Sequence, residues 1–373
     1  MGHVELMGKA QTVLGLVDAN SLGVTLPHEH ILIGGAGLFI EPSEAGEKIL
    51  AHQTISLENI DWVRKHFRNN LDNMTMPDEQ VLIKELMFYK MAGGDTIVEL
   101  TCTSTLGRDP LGLVRIARAT GVNIIMSTGF YEVYAEGVSG VSPGYETSSI
   151  AARSEEDLAE EMVREIMVGA GNTGVRAGII GEIGTAWPLS DTQRKFLRAS
   201  ARAQRRTGAA INIHPSLKTP SPKDHEDFIM EVVNALGDAD ADLSRTVISH
   251  IDMCCLTLGF RCKLAETGVY LEYDVFGWEG YPPRDIELAD VPNDAQRVNE
   301  IIQLIGEGYL NQILIAGDHC VKIMLRSYGG WGYDHILTNV VPLMRYKGMS
   351  DEQIHTLLVE NPKRVLSFAP VKE

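Results

Sequence analysis

His28 and His30 stand one residue apart in Val24-Thr-Leu-Pro-His-Glu-His-Ile-Leu-Ile33, near the end of an apolar, β-branched run. Side chains on a strand alternate between faces, so residues two apart project the same way. Two imidazoles on one face can share a metal ion. A His-x-His pair alone is a weak signal and gains weight only from its context. That context is a set of ionisable residues at the ends of later apolar runs. They are Glu182 in Ile179-Ile-Gly-Glu-Ile-Gly184, His214 in Ile211-Asn-Ile-His-Pro215, His250 in Val247-Ile-Ser-His-Ile-Asp252 and Asp318 in Ile313-Leu-Ile-Ala-Gly-Asp318. A lone histidine at a strand end is more often a hydrogen-bonded core group than a ligand. Four imidazoles and two carboxylates in this arrangement instead make a ligand set for two divalent cations. Nitrogen and oxygen donors without thiolate favour zinc, with manganese, iron and cobalt as the other fits. Burying the two carboxylates together without cations would be costly. A water bridging two such cations loses its proton near neutral pH and becomes a hydroxide nucleophile. Asp318 is then the candidate base of a metal-assisted hydrolysis, and Tyr131 a candidate further donor to its oxyanion.

Positioning these residues requires a scaffold that brings strand ends together. Strand-like runs lie near residues 24–33, 96–101, 123–127, 178–182, 209–214, 246–250, 269–274 and 312–318. Helical patterns fall between them, at about 77–92, 108–120, 154–169, 190–207, 224–236, 254–267 and 294–308, with further helices at 333–346, 350–360 and 362–368. Ser190-Asp-Thr-Gln193 reads as a helix start with a reciprocal cap, and Ser154-Glu-Glu-Asp157 resembles one. Gly208 and Gly268 fit helix ends. Strand-then-helix units repeated in this way predict a closed parallel (β/α)8 TIM barrel, whose chemistry gathers at the C-terminal strand ends. A doubly wound sheet would want a Gly-x-Gly-x-x-Gly turn after the first strand. Gly34-Gly-Ala-Gly37 does not supply one. The chain reads as a single domain, 1–373, with a long insertion over the barrel mouth at 34–75 that carries a helix near 57–66.

Composition narrows the partners. The 373-residue chain has a formal net charge of −17, so nucleic acid and anionic membranes are not expected partners. No apolar run is long enough to span a bilayer. The five cysteines, Cys102, Cys254, Cys255, Cys262 and Cys320, form no disulfide or zinc pattern. The first residues lack the basic and apolar regions of a signal peptide, so the protein reads as cytoplasmic. Two divalent cations outweigh two carboxylates and a hydroxide, and the residual positive field suits a small anionic substrate. Lys322, Arg284, Arg64 and Arg68 are the candidate grips for an anionic tail. Gly140-Val-Ser-Pro-Gly144 matches a nucleophile elbow formally, but Pro143 has no N–H to lend to an oxyanion hole, which leaves Ser142 in a loop. Glu99 reads as a supporting or core-paired acid, His319 as facing away from the lumen, and His3, His52, His66, His225, His335 and His355 as surface groups.

Together with Gln11-Thr-Val-Leu-Gly-Leu-Val17, Gly23-Val-Thr-Leu-Pro-His-Glu-His30, Gly181-Glu-Ile-Gly184, Ile213-His-Pro215, Ser249-His-Ile-Asp252 and Gly317-Asp318, the chain resembles the phosphotriesterase family of the amidohydrolase superfamily. Gly129-Phe-Tyr131, Tyr270-Leu-Glu-Tyr-Asp-Val-Phe-Gly277, the run from Tyr328 to Pro342 and Glu360-Asn-Pro362 carry the resemblance further. It implies a barrel with a binuclear centre. In that pattern His28, His30 and Asp318 hold the more buried ion, His214 and His250 the other, and a residue of the fourth barrel strand bridges both. Two departures matter. The founding organophosphate-cleaving pattern bridges with a carboxylated lysine, whereas Glu182 stands here and brings its two oxygens directly. That pattern also ends its seventh strand in an Asp-His pair that relays protons. Here the stretch is Tyr273-Asp274-Val275-Phe276, so fast organophosphate turnover is not expected. One branch of the family hydrolyses N-acetyltaurine and similar N-acyl amino acids, releasing acetate and taurine, and the resemblance implies that activity. A lactonase, an esterase or a promiscuous phosphotriesterase on the same centre is the alternative, and a metal-free binding or scaffold barrel is the alternative of another class. Related barrels pair, which makes a homodimer an expectation.

Overall fold

Apolar β-branched runs separated by capped amphipathic helices fold here as eight parallel strands wound in chain order. They are β3 (Thr25–Glu29), β6 (Thr96–Glu99), β7 (Asn123–Thr128), β8 (Ile179–Gly184), β9 (Ile211–His214), β10 (Thr246–Ile248), β11 (Tyr270–Tyr273) and β12 (Ile313–Ile315). Each pairs in parallel with the next. β12 returns beside β3, where the Asp318 N–H donates to the His28 carbonyl at 3.2 Å and nearly closes the barrel. The computed structural model describes residues 6–76, 78–103, 106–131, 150, 152–253, 256–279 and 291–371. Among the described residues no helix is long and apolar enough to cross a membrane.

Helices follow the strands because their ends are written into the sequence. Ser154 and Ser190 close reciprocal caps with Asp157 and Gln193. Gly208 ends its helix in the left-handed conformation, φ 74°, at no steric cost. The helices Glu155–Met167 and Asp191–Thr207 bury Leu158, Met162, Phe196 and Leu197 against the outside of the barrel. Each such side chain contributes about 1.5–3 kcal/mol by leaving water. Inside, Val98, Ile125, Ile179, Val247 and Leu314 fill the lower lumen. A hairpin of β1 (Lys9–Thr12) and β2 (Gly15–Asp18) plugs that end with Ala10, alongside Val365 and Leu366 of the last helix. This apolar floor leaves the upper lumen for polar side chains.

The insertion is pinned by a short antiparallel pair, β4 (Ile33–Gly34) with β5 (Thr75–Met76). It carries helices Ala45–Ala51 and Ile60–Lys65. Its Phe67 and Met74 pack on Val321, with Trp278 and Cys320 alongside, so it lies against the loops that follow β11 and β12. Asn73 accepts the Lys322 N–H through its carbonyl and the Ile323 N–H through its side chain. The chain after residue 333 forms helices interrupted by wide turns at Ile336–Val340 and Thr356–Glu360.

Candidate metal centre

The six residues singled out by type and spacing converge at the C-terminal rim of the barrel. All are buried, from His28 at 0% exposure to His214 and Asp318 at 8%. Strand alternation alone does not deliver them. Leu26 packs in the layer under the helices, yet His28, two residues on, faces the lumen; the β3 register shifts between Leu26 and Glu29. In β8, Ile180 and Ile183 both face outward, and a register shift between them turns Glu182 inward. Irregularities of this kind re-aim side chains near active sites. His250 and Asp318 reach the lumen from left-handed backbone, at φ 57° and 44°. Non-glycine residues sit there at a cost of about 1–3 kcal/mol, a strain that clusters at functional sites.

Glu182 is the hub. Its Oε1 lies 2.5 Å from His214 Nδ1, 3.1 Å from His250 Nε2 and 3.6 Å from His28 Nε2, and its Oε2 lies 4.0 Å from His30 Nε2. Asp318 Oδ1 stands 3.3 Å from His30 Nε2 and 3.7 Å from His28 Nε2. The His28 Nε2 atom is buried without a hydrogen-bond partner. An orphaned ring nitrogen of this kind calls for an explanation. Ligand atoms about 2.1 Å from a tetrahedral cation sit roughly 3.4 Å apart. The His28, His30, Asp318 and Glu182 atoms keep separations of 3.3–4.0 Å, so that half of the site fits a divalent cation. In the other half, His214 Nδ1 and His250 Nε2 approach to 2.7 Å. There a hydrogen-bonded triad with Glu182 forms. His28, His30 and Asp318 form one cation-competent group, and His28, Glu182 and His250 another.

Two further carboxylates complete the site. Glu272 and Asp274 lie beneath it, fully buried. Glu272 Oε2 accepts from His28 Nδ1 at 2.9 Å, and also from Asn212 Nδ2 and Ser249 Oγ. Asp274 accepts from His250 Nδ1 at 2.8 Å and from the His250 backbone N–H at 2.9 Å, and its Oδ2 is 3.1 Å from His28 Nδ1. Carboxylates on Nδ1 fix the tautomer that presents Nε2 to a metal. The signal for them was present. They are two residues apart, Glu272 on β11 and Asp274 just past its end, by the same rule that links His28 to His30.

The electrostatics follow. Burial alone would lower the His28 and His250 pKa values; Asp274 and Glu182 overcome it and hold both well above the usual imidazole range. Burial lowers His214. Burial would raise Glu182, but His214 and His28 keep it ionised well below its ordinary value. Burial raises Glu99 to about 7; its Oε1 accepts from the Ile31 N–H, and Thr101 beside it binds His30 Nδ1 at 2.9 Å.

The candidate substrate contacts divide. The Tyr131 ring meets the His214 ring edge-on with centroids 5.2 Å apart. Burial, with Glu182 and Asp318, raises its phenol well above the ordinary value, and Arg68 counters from nearby. Lys322 is held by Asp72, with Nζ 2.5 Å from its Oδ1, and is not among the groups around Glu182. Arg64 donates to the Gly329 carbonyl on the surface. Arg284 and Ser142 lie outside the described residues. His319 turns away from the lumen to Glu29. His225 and His335, expected on the surface, are buried instead, because each packs inside tertiary structure that local pattern does not reveal; His335 Nε2 is 2.6 Å from Asp294 Oδ2.

The sequence profile of the phosphotriesterase family matches residues 8–366. A Dictyostelium discoideum protein named N-acetyltaurine hydrolase is 37% identical over 385 residues, covering 98% of this chain and 99% of its own. A Homo sapiens protein of the same name is 38% identical over 364 residues, covering 97% and 99%. Among solved structures, a resiniferatoxin-binding protein from Rhodobacter sphaeroides has a TM-score of 0.86 at 32% identity, covering 96% of this chain and 95% of its own.

Proposed function

The chain belongs to the phosphotriesterase family, and on that footing we propose that it is a binuclear metal-dependent amidohydrolase that cleaves N-acetyltaurine and related N-acyl amino acids to taurine, or the corresponding amine, and acetate. The observation that carries this reading is Glu182, whose two oxygens face four imidazoles at once. The end-to-end likeness to proteins named N-acetyltaurine hydrolase supports the substrate class.

His28, His30 and Asp318 would hold one divalent cation, His214 and His250 the other, with Glu182 shared; the donor set suits zinc, and also manganese, iron or cobalt. Bound there, the cations would polarise the acyl oxygen and bring the pKa of a water toward neutrality. The rest falls to the chain. Asp318 accepts the proton of the attacking water and passes it to the amide nitrogen, which leaves as an amine only when protonated. Tyr131 keeps its proton, since its phenol is raised, and donates a hydrogen bond to the acyl oxygen as charge builds. Arg68 offers a fork for the sulfonate or carboxylate tail.

The test runs N-acetyltaurine, N-acetyl amino acids, a lactone and an organophosphate ester in parallel, before and after chelation. Taurine release should exceed turnover of the last two, vanish with chelator and return with zinc. Asp318→Asn should keep most metal and lose most hydrolysis. Chelation without effect, or near-parental turnover by Asp318→Asn, would overturn the reading.

A further inference from the structure

Asp318 is the residue on which the proposed chemistry turns, and its backbone is held at φ 44°, where a side chain is strained. Such a conformation persists only if its surroundings enforce it. Three consecutive N–H groups show how. Gly317 N donates to Glu29 Oε1 at 2.9 Å, Asp318 N to the His28 carbonyl at 3.2 Å, and His319 N to Glu29 Oε2 at 2.9 Å. The same Glu29 oxygen takes His319 Nδ1 at 2.7 Å. Glu29 and His319 are both buried, at 0% and 3% exposure. Glu29 is the middle residue of His28-Glu29-His30, so it points the opposite way from the two ligands, across the seam between β3 and β12. Behind it, the Tyr333 hydroxyl donates to the His30 carbonyl at 2.7 Å, and its ring lies 4.6 Å from the His319 ring. Gly317 is required by the closeness of this packing. A Cβ there would lie 2.3 Å from His319 Cε1 and 3.2 Å from Glu29 Oε1.

We propose that Glu29 and His319 form a latch across the β3–β12 seam that holds Asp318 in its left-handed conformation and so aims its carboxylate at the His28–His30 pair. They are positioning residues and touch no substrate. A carboxylate that clamps two amides is not unusual in itself: Glu85 takes Arg326 N and Ser327 N away from the site. At Glu29 the two clamped amides bracket a candidate ligand, and the clamp stands on the strand that carries the two other ligands of the same group. This inference rests on the reading of Asp318 as ligand and base.

The test is Glu29→Gln in the full chain. An amide has one acceptor oxygen, so its NH2 must face one of the two clamped N–H groups. Cobalt(II) affinity by chelator competition, metal per chain, kcat, KM and thermal midpoint are measured together. One cation should bind roughly 10–100-fold more weakly, the usual loss when an outer partner of a ligand is removed. At saturating metal kcat should fall with KM within about twofold, because the latch aims the base without touching substrate. Should Glu29→Gln fail to fold, His319→Gln carries the same readouts and should weaken cobalt binding at least about threefold. A lower thermal midpoint with parental metal affinity and kcat overturns the latch. A parental protein that binds no cobalt would instead overturn the site reading beneath it, so the two failures are distinguishable.

Discussion

Asp274→Asn tests whether the carboxylates under the site organise it. The substitution preserves shape and removes one acceptor and one charge. Asp274 serves His250 Nδ1 at 2.8 Å through Oδ1, and serves the His250 N–H at 2.9 Å through Oδ2, which also stands 3.1 Å from His28 Nδ1. Whichever way the asparagine amide turns, its NH2 faces a donor. A buried donor left unsatisfied costs about 1–3 kcal/mol. If that cost falls on the geometry that presents His250 and His28 to a cation, binding weakens by roughly 5–150-fold. A second effect has a definite sign. Asp274 raises both imidazole pKa values, so a cation entering the parental site must displace protons. Without Asp274 fewer protons are held. The ratio of parental to variant affinity should therefore widen as pH rises from 6 to 8, and each cation bound should release fewer protons. Chelator competition with cobalt(II) across that range, with proton release in weakly buffered solution, reads both quantities. Parental affinity at every pH, with only the thermal midpoint lowered, would refute the reasoning.

Other outcomes follow from the same geometry. Glu182→Ala should cut bound metal by at least half in elemental analysis, and unchanged stoichiometry would move the bridge elsewhere. Arg68→Met should raise KM for N-acetyltaurine about 10–150-fold, the value of one charge-assisted hydrogen bond of about 1.5–3 kcal/mol, and spare neutral N-acyl substrates; equal loss on both contradicts a tail-binding role. His225 is buried and its pKa is pushed down by that burial to about 4, from the ordinary 6.5. The unfolded chain gains its proton first as pH falls, so the stability this residue contributes is complete above pH 6.5 and is lost progressively toward pH 4, by up to roughly 3 kcal/mol. His225→Phe should flatten the fall in urea midpoint between pH 7 and 4.5, and an unaltered slope would contradict it.

Much of the barrel is legible in the chain because each strand is a short β-branched run and each helix carries its own caps. The eight expected runs all overlap the observed strands in chain order; six contain them, while β7 runs one residue and β8 two residues past the expected end. The hairpin of β1 and β2 and the two-residue pair of β4 and β5 carry too little pattern to announce themselves. At the site, residue type and position at a strand end were sufficient for His214, whose strand keeps strict alternation from Ala210 through Asn212. They are less sufficient for His28, Glu182 and His250, which depend on register shifts or a positive φ that no local pattern encodes. Glu272 and Asp274 were readable by the two-residue spacing but flank Tyr273 at the end of an ordinary-looking strand. Lys322 looked available from its place after β12. Its capture by Asp72, 250 positions earlier in the chain, is a tertiary event.

The central claim is that Glu182 stands between two cations at the barrel rim. Anomalous X-ray scattering from crystals grown with zinc tests it most directly. Two peaks are expected, both touching Glu182, one bounded by His28, His30 and Asp318 and the other by His214 and His250. A map with no peak among these residues, or with Glu182 turned out of contact with the metal, would contradict the account.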